Sequence, residues 1–383
     1  MSAILGRTPT WFGYHRAMSE SPLERSNAVD AEPALETDGE DDASRRFGVM
    51  EPLRLAVVGV GRMGALHAET LAAAESIDVV AVADSISDVA GRVADQIGAD
   101  GYESLDTLTE RDDVEAWLIA TPTTTHPSVV EMALEAGLHI LCEKPLALDL
   151  AESKRLGALA AAGGKVLQVG FWRRFAPPWV AARQAIVDGT IGRPLMLRLA
   201  QWDADPPPAS FCDPLTSGGL AIDCGVHEFD LIEWMTGLGI ETVTARNLPL
   251  VDQTIGQVGD VDNLLAMLDL EGGAVATVDL SRNCRFGDDV RTEILGEDGA
   301  IFVDFLPVGR TRLADASGVR VLAGSETDDA FVEGIKAQAQ AFVEVVRGAP
   351  IDIPGAADST LAVAVGRAVQ RSAAEGIPVA LTT

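Results

Sequence analysis

The chain has 383 residues, a formal net charge of −29 and a hydrophobic fraction of 47%. Its length supports one or two full-sized hydrophobic cores, and no apolar run approaches the roughly 18 residues that a membrane span requires. The strong negative charge repels nucleic acids and anionic membranes, which argues against both as partners.

Four cysteines are spread along the chain, and no two of them form a C-x-x-C pair. Isolated cysteines argue against a zinc ribbon or a redox dithiol and are typical of reduced thiols in the cytosol. We therefore predict a cytoplasmic protein. The cysteines are Cys142, Cys212, Cys224 and Cys284.

Residues 1–50 differ in composition from the rest of the chain. They carry 9 acidic and 5 basic residues and show no sustained hydrophobic period. They also lack the apolar segment of a secretory signal, so we predict a mostly disordered leader. Met50 directly precedes the first predicted strand and is a candidate for the natural start.

Residues 51–170 alternate short apolar runs with segments of helical period. This alternation predicts β-α-β units and an N-terminal Rossmann domain with a doubly wound parallel sheet. The predicted strands are Arg54–Gly59, Val79–Ala83, Val114–Ala120, His139–Cys142 and Val166–Gly170. The predicted helices are Gly64–Glu75, Ser87–Ile97, His126–Ala136 and Leu150–Ala162.

Residues 171–383 consist mainly of strand-like runs separated by short turns. They predict a C-terminal α+β domain with a large, open, mostly antiparallel sheet and helices on one face. The predicted strands are Leu195–Trp202, Thr242–Leu248, Asn263–Leu270, Ala274–Arg282, Arg291–Leu295 and Ala300–Phe305. The predicted helices are Trp179–Asp188, Asp223–Trp234, Val332–Val346 and Ala357–Ala374.

A glycine fingerprint, G-x-G-x-x-G, joins the first strand to the first helix. Its glycines allow a tight turn, a close approach of pyrophosphate and close packing of helix on strand. Asp84 ends the second strand at the spacing of an acid that binds the adenosine ribose, which favours NAD over NADP. The predicted cofactor loop contains Gly59, Gly61, Arg62, Met63 and Gly64.

Two further strand ends predict the rest of the crevice, because ligands bind outside the carboxyl ends of parallel strands. Thr121-Pro122 follows one strand, with His126 at the start of the next helix, and we expect all three to line the cofactor. Glu143-Lys144-Pro145 follows the next strand. We predict that Lys144 faces the crevice and that its bond to Pro145 is cis, although a lone lysine can equally be a surface residue.

Asp223, His227 and Asp230 lie at positions i, i+4 and i+7 in an otherwise apolar segment. In a continuous helix these side chains would share one face, whereas the apolar residues would pack into the core. A solvated helix face is the alternative for an isolated D-x-x-x-H. Burial of such a polar stripe is costly, so the apolar surroundings favour a functional site.

Taken together, these motifs resemble the Gfo/Idh/MocA oxidoreductases over about residues 53–380. The shared elements are the glycine fingerprint, Glu143-Lys144-Pro145 and the G-G-x-x-x-D-x-x-x-H that ends at His227. Within that family the segments Gly170–Phe175 and Asp223–Asp230 are most similar to inositol 2-dehydrogenases. The chain departs from their pattern at Trp202–Asp205, where H-R-N is common, and at Phe286–Asp289, where two tyrosines are missing.

The resemblance implies that a ring hydroxyl is oxidised to a ketone with NAD as hydride acceptor and without a metal. A histidine suits proton abstraction near neutral pH, so we predict that His227 is the base. We expect Asp223 to orient either the imidazole or Lys144. We expect Lys144 to bind the reacting oxygen. Lys144 and Glu143 should also border the cofactor. The predicted substrate-binding residues are Lys144, Trp172, Arg173, Asp223, His227 and Asp230.

Two alternatives remain from the sequence alone. The substrate could be an aldose, a deoxysugar or another cyclitol instead of an inositol, and the missing tyrosines favour this reading. A non-catalytic regulator that binds NAD and a sugar is the other alternative, although it has no need for Lys144, Asp223 and His227 together. The resemblance also implies a homo-oligomer, a tetramer or a dimer, built on the open sheet.

Overall fold

The computed structural model describes residues 51–204, 207–285, 287–304, 310–324 and 330–381. The predicted leader and the candidate start at Met50 lie outside these residues, as do Asp205 and Phe286 of the departing motifs.

The first sheet has six parallel strands in the order β3-β2-β1-β4-β5-β6. The order reverses at β1 and β4, so the loops after these two strands diverge and open a crevice at the carboxyl edge. The doubly wound parallel sheet predicted from the sequence is therefore confirmed. The strands are Leu53–Val58 (β1), Ile77–Ala83 (β2), Asp100–Tyr102 (β3), Ala116–Ile119 (β4), His139–Cys142 (β5) and Leu167–Val169 (β6).

Five helices accompany this sheet, and four of them match the predictions closely. The structure adds β3 and a helix of five residues, which the sequence reasoning missed because both are short and partly exposed. Neither segment shows a sustained apolar period. The helices are Arg62–Ala72 (α1), Ser87–Ile97 (α2), Leu105–Thr109 (α3), His126–Glu135 (α4) and Leu150–Ala162 (α5).

The second sheet has nine strands in the order β14-β13-β12-β11-β7-β10-β9-β8-β15. Among the described strands of this sheet, only β7 and β10 pair in parallel, so the predicted mostly antiparallel sheet is confirmed. Three strands, β13, β14 and β15, are additions to the prediction. The strands are Pro194–Trp202 (β7), Ile240–Asn247 (β8), Asn263–Leu270 (β9), Val275–Ser281 (β10), Asp289–Gly296 (β11), Gly299–Asp304 (β12), Arg310–Asp315 (β13), Gly318–Gly324 (β14) and Val379–Ala380 (β15).

Among the remaining helices, Ala356–Glu375 (α12) contacts both sheets, at β6 and at β8. The long helix Ala330–Val346 (α11) returns to the first sheet, where Ile335, Phe342 and Val343 pack in the same core as β1. The division of the chain at residue 170 stays a prediction. The other helices are Pro177–Val187 (α6), Pro214–Ser217 (α7), Leu220–Asp223 (α8), Val226–Thr236 (α9) and Gln253–Gln257 (α10).

The predicted continuous helix Asp223–Trp234 is wrong, because Cys224 and Gly225 interrupt it between α8 and α9. A Cβ atom on Gly225 would lie 2.5 Å from the carbonyl oxygen of Ala221, so this glycine permits a close packing that other residues would not. Asp223 therefore belongs to α8, whereas His227 and Asp230 belong to α9.

None of the helices in the described part of the chain is long and apolar enough to cross a membrane.

Candidate functional site

We call residues Gly59–Gly64, which follow β1, the glycine loop. Gly59 has a left-handed φ of +82°, and a Cβ atom on it would lie 2.7 Å from the backbone nitrogen of Thr121. A Cβ atom on Gly64 would lie 1.7 Å from the carbonyl oxygen of Gly59. Within the described residues, no heavy atom lies within 4 Å of a Cβ built on Gly61. The loop therefore leaves its backbone open to a pyrophosphate at the N-terminus of α1, as a dinucleotide requires.

Asp84 lies directly after β2 and faces the glycine loop. Its Oδ2 accepts a hydrogen bond from the backbone N–H of Val60, and its Oδ1 accepts one from Ile86, both at 3.0 Å. The carboxylate is only partly buried and keeps free lone pairs, so it can accept a further hydrogen bond from a ribose. Its contact with the cofactor stays a prediction.

The other residues predicted to line the cofactor differ in accessibility. Arg62 and Pro122 are exposed, and Met63 and Thr121 are half-buried beside them. His126 is 1% exposed, and its ring nitrogens lie 2.8 Å from the carbonyl oxygen of Thr121 and 2.9 Å from that of Pro145. His126 is thus a buried link between the loops after β4 and β5, and its contact with the cofactor stays a prediction.

Glu143 is also turned inward. Its Oε1 lies 2.7 Å from Nε2 of the buried His67, and its Oε2 accepts from the backbone N–H of Lys144 at 3.1 Å. Burial opposes ionisation of Glu143, but the bond to His67 and the nearby charges prevail and hold its pKa below the ordinary value. Glu143 thus anchors the Lys144 backbone, and the predicted cis bond between Lys144 and Pro145 is confirmed.

The break between α8 and α9 frees a carbonyl oxygen that contacts Lys144 of the other half of the molecule. In a continuous helix the backbone N–H of His227 would bond to the carbonyl oxygen of Asp223. Here it bonds to the carbonyl oxygen of Cys224 instead, at 3.3 Å. The freed carbonyl oxygen of Asp223 accepts a hydrogen bond from Lys144 Nζ at 2.6 Å, and Nζ lies 3.8 Å from Asp223 Oδ1.

His227 lies in the first turn of α9 and is 6% exposed. Its ring packs edge-on against Phe171 and Trp172, with centroid distances of 6.1 and 6.4 Å. Burial, with the charges of Arg173 and Lys144, holds the pKa of His227 well below its ordinary value. The imidazole is therefore neutral at pH 7 and able to accept a proton. Asp223 makes no hydrogen bond to it among the described residues, so Asp223 contacts Lys144 instead of the imidazole.

Asp223 also contacts Arg282, which the sequence reasoning did not assign to the site. Arg282 is 1% exposed at the end of β10, and its Nη1 donates to Asp223 Oδ2 at 3.1 Å. Its Nη2 lies 3.5 Å from Oδ2 of Asp260, a second carboxylate that the sequence reasoning missed. An arginine at the end of a predicted strand was the signal available in the sequence, since an arginine that becomes buried there is rarely unpaired.

Arg173 and Asp230, two of the predicted substrate ligands, both take part in buried ion pairs. Arg173 is 3% exposed and donates to Glu228 and, at 2.9 Å, to Oε1 of Gln201. Asp230 is 5% exposed, and both of its oxygens accept from Arg174. Burial raises the pKa of Asp230 to about 6 even though Arg174 opposes this. Both side chains have charged partners within the protein, and their contact with a substrate stays a prediction.

We call Asp203, Asp223, Glu228, Lys144, Arg173 and Arg282 the charged floor of the site. Gln201 and Cys224 connect its members: Gln201 Nε2 donates to Asp203 Oδ1 at 3.0 Å, and Cys224 Sγ lies 3.2 Å from Asp203 Oδ2. Among the described residues, no group of three or more His, Cys, Asp or Glu side chains is arranged to hold a metal ion.

Comparisons with known proteins agree with this architecture. The family model described as "Oxidoreductase family, NAD-binding Rossmann fold" matches residues 53–171, and the "GFO/IDH/MocA C-terminal domain" matches residues 179–302. The scyllo-inositol 2-dehydrogenase (NAD(+)) of Bacillus subtilis is 34% identical over 335 residues, 86% of this chain and 96% of that protein. The myo-inositol 2-dehydrogenase of Thermotoga maritima is 32% identical over 84% of this chain and 97% of that protein.

A solved structure shows the same fold. The scyllo-inositol dehydrogenase of Lactobacillus casei, with bound NAD(H) and scyllo-inositol, superposes with a TM-score of 0.75 and 25% identity. The match covers 87% of this chain and all of that one. The chain therefore belongs to the Gfo/Idh/MocA family of NAD-binding oxidoreductases.

Proposed function

We propose that the protein is an NAD-dependent dehydrogenase that oxidises a ring hydroxyl of a cyclitol, an inositol or a close analogue, to a ketone. The contact between Lys144 and Asp223 supports this most directly, because it joins the cofactor half to the substrate half beside a buried, neutral imidazole. The names of the relatives support the substrate class.

The cofactor half suits NAD in shape and charge. The glycine loop and Thr121 would hold the pyrophosphate region, and Asp84 would accept a hydrogen bond from the ribose. NAD, when bound, supplies the acceptor for the hydride that leaves the substrate carbon. The Asp84 carboxylate would repel a 2′-phosphate, which favours NAD over NADP.

The protein's own residues handle the hydroxyl. Lys144 Nζ, held by the Asp223 carbonyl oxygen, donates to the hydroxyl oxygen and stabilises the negative charge that develops there. His227 accepts the hydroxyl proton, because its imidazole is neutral at pH 7. Arg282 keeps the Asp223 carboxylate in place, so the ammonium of Lys144 has a fixed position before the substrate binds.

An assay of NAD reduction with myo-inositol and scyllo-inositol tests this function. We expect turnover by the wild-type protein and a loss of at least about a hundredfold in Lys144→Met, the scale on which an electrostatic donor acts. Lys154→Met removes an equal charge from the exposed face of α5 and serves as the matched control. Absence of turnover on every cyclitol and sugar, with NAD binding intact, would contradict the proposal and favour a regulator.

A dehydrogenase of an aldose or deoxysugar is the second candidate. The departures of the sequence at residues 202–205 and 286–289 support it, because both segments differ from the inositol dehydrogenase pattern. The same assay with aldoses and deoxysugars ranks the two candidates by kcat/KM.

We also propose that the second sheet forms a homo-oligomer, a dimer or a tetramer, through its outer face. Leu265 and Met267 on β9, Met196 on β7 and Leu295 on β11 are 42–48% exposed on that face. An exposed apolar sheet face of this kind is typical of an interaction surface. Light scattering after size exclusion should show an oligomer that Met267→Glu dissociates; a wild-type monomer would contradict the proposal.

A cytoplasmic location is the last part of this proposal. It is supported by the four cysteines, all of which are buried and unpaired.

A further inference from the structure

A buried pair of side chains, His67 and Glu143, connects helix α1 to the loop that carries Lys144. His67 lies in the second turn of α1 and is 1% exposed, and its Nε2 lies 2.7 Å from Glu143 Oε1. An ionised carboxylate can only accept a hydrogen bond, so Nε2 carries the hydrogen and donates it. Helix α1 begins at the glycine loop, so one helix lies beside that loop and also contacts the residue that precedes Lys144.

The carboxylate of Glu143 has little freedom to move. Its Oε2 accepts from the backbone N–H of Lys144 at 3.1 Å, and its own backbone N–H donates to the carbonyl oxygen of Ile119 at 2.8 Å. On the side of β6, a Cβ atom built on Gly170 would lie 3.1 Å from Oε2, so a side chain at this position would press on Glu143. The two carboxylate oxygens therefore join α1 to the Lys144 backbone in one defined arrangement.

Burial makes the negative charge of Glu143 costly, so its neighbours decide whether the charge persists. The titratable groups near it in the described chain are His67 from α1, His126 from α4, and Cys142 and Lys144 of its own segment. Burial keeps the pKa of His126 low and that of Cys142 high, so both are neutral at pH 7. Against the effect of burial, the bond to His67 and the charge of Lys144 hold the pKa of Glu143 below its ordinary value.

His67 is itself buried at a cost. Its Nδ1 is buried and has no hydrogen-bond partner among the described residues, so the ring satisfies only one of its two nitrogens. An apolar side chain could fill the same space without this cost. It could not supply the hydrogen bond to Glu143. That bond is therefore the property of His67 that the site uses.

The effect of this bond extends to the ammonium group of Lys144. Glu143 holds the Lys144 backbone, and the carbonyl oxygen of Asp223 holds Nζ at 2.6 Å. The opposite charges of Glu143 and Lys144 also attract each other. If Glu143 lost its charge, Lys144 would be loosened at its backbone while its Nζ stayed on Asp223.

We propose that His67 is a positioning residue of the dehydrogenase, which holds the Glu143 carboxylate in place and thereby sets the position of Lys144 at the reacting oxygen. The inference rests on the proposed function, in which Lys144 donates to that oxygen. His67 acts through Glu143 and takes no part in the transfer of the proton or the hydride. Helix α1 thus serves the reaction twice: its N-terminus faces the pyrophosphate, and its second turn fixes Glu143.

Two substitutions of His67 separate the hydrogen bond from the space that the ring fills. His67→Leu cannot donate, so Glu143 should become protonated near neutral pH and Lys144 should be loosened. With the best cyclitol or sugar substrate of the wild-type protein, we expect kcat at pH 7 to fall about 10- to 100-fold, while the dissociation constant of NAD stays within a few-fold. His67→Gln keeps a side-chain N–H for Glu143 and should restore kcat to within a few-fold of wild type.

The pH profile is a readout that a purely structural role of His67 would not change. In His67→Leu the pKa of Glu143 should be raised, so the ratio of its kcat to wild-type kcat should increase between about pH 6 and 9, as the carboxylate ionises. The same ratio for His67→Gln should stay constant. His227 does not interfere in this range, because its pKa lies well below the ordinary value.

A double-mutant cycle with Glu143→Gln tests whether His67 acts through Glu143. The amide keeps an acceptor for the Lys144 N–H and removes the charge, so Glu143→Gln should lower kcat at every pH. In that background His67→Leu should lower kcat by less than about threefold more, since the charge that it supports is already absent. Thr70→Val removes a hydroxyl from another buried position of α1 and should keep the wild-type kcat and pH profile.

The outcomes separate this proposal from the proposed function. An equal loss from His67→Leu in the two backgrounds, or a ratio that does not change with pH, overturns the role of His67 and leaves the dehydrogenase function intact. If His67→Leu does not fold, Glu143→Gln decides: a lower kcat with unchanged NAD binding supports the proposal, and wild-type kcat overturns it. If the wild-type protein binds NAD but oxidises no cyclitol or sugar, both proposals are overturned.

Discussion

The two halves of the site are built from different interactions. At the glycine loop, backbone atoms approach so closely that a Cβ on Gly64 would overlap the carbonyl oxygen of Gly59 at 1.7 Å. At the charged floor, by contrast, position depends on ion pairs such as that of Asp223 with Arg282. Steric exclusion is insensitive to pH, whereas buried charges depend on protonation and on their partners. Substitutions in the two halves should therefore fail in different ways.

The largest effect should come from the substrate half. His227→Ala removes the proposed base, so kcat should fall at least about a hundredfold, while the dissociation constant of NAD stays within a few-fold. Steady-state kinetics and calorimetric titration with NAD measure the two quantities. His139→Asn is the control, because His139 lies at the start of β5, at the end opposite to Lys144. Activity of His227→Ala within a few-fold of wild type would remove His227 from the role of base.

Next in size should be a steric change in the cofactor half. Gly64→Ala forces a backbone shift, so we expect a loss of about 2–3 kcal/mol in the free energy of unfolding together with weaker NAD binding. Gly61→Ala meets no protein atom among the described residues, so it should weaken NAD binding and leave the stability nearly unchanged. Denaturant titration and NAD titration of both variants check this. Equal stabilities of the two variants would contradict the contrast.

A smaller effect is expected at Asp84, where the cofactor half also uses a charge. Asp84→Asn removes the repulsion of a 2′-phosphate but keeps an acceptor for the Val60 N–H. The ratio of kcat/KM for NAD to that for NADP should fall about tenfold, the factor that corresponds to 1.4 kcal/mol. An unchanged ratio in this variant and in Asp84→Ala would contradict the assignment of Asp84 to the ribose.

The smallest effect should be in the pH dependence. The pKa of His227 lies well below 6.5, so the imidazole stays neutral as the pH falls through 6.5. The decrease of kcat/KM on the acid side of the pH profile should therefore occur below pH 6.5. In the same window the unfolded chain binds a proton that the folded chain excludes, so stability should decrease as pH falls. A pH–rate profile and urea titrations between about pH 5 and 8 measure both. An acid limb above pH 6.5 would contradict the assignment.

Sequence patterns were most informative where the hydrophobic period continues through the whole element. Ser87–Ile97, His139–Cys142, Leu150–Ala162 and Asn263–Leu270 match the predicted bounds, because their hydrophobic periods persist over the whole element. Strands β13 and β14 were missed: both contain arginine and small residues and show little alternation. The helix across Asp223 and His227 was extended too far, because its apolar positions continue through the break at Gly225.

The sequence by itself determined the glycine fingerprint, the cis Lys144–Pro145 bond and the family. It also determined that one parallel sheet is followed by one mostly antiparallel sheet. These features depend on local backbone requirements and on the hydrophobic period. Only the tertiary structure decided the partners of the charges. Lys144 meets Asp223 across 79 residues of sequence, and Arg282 meets Asp223 across 59. Such contacts depend on where separate strands and helices end in space, and no local pattern records this.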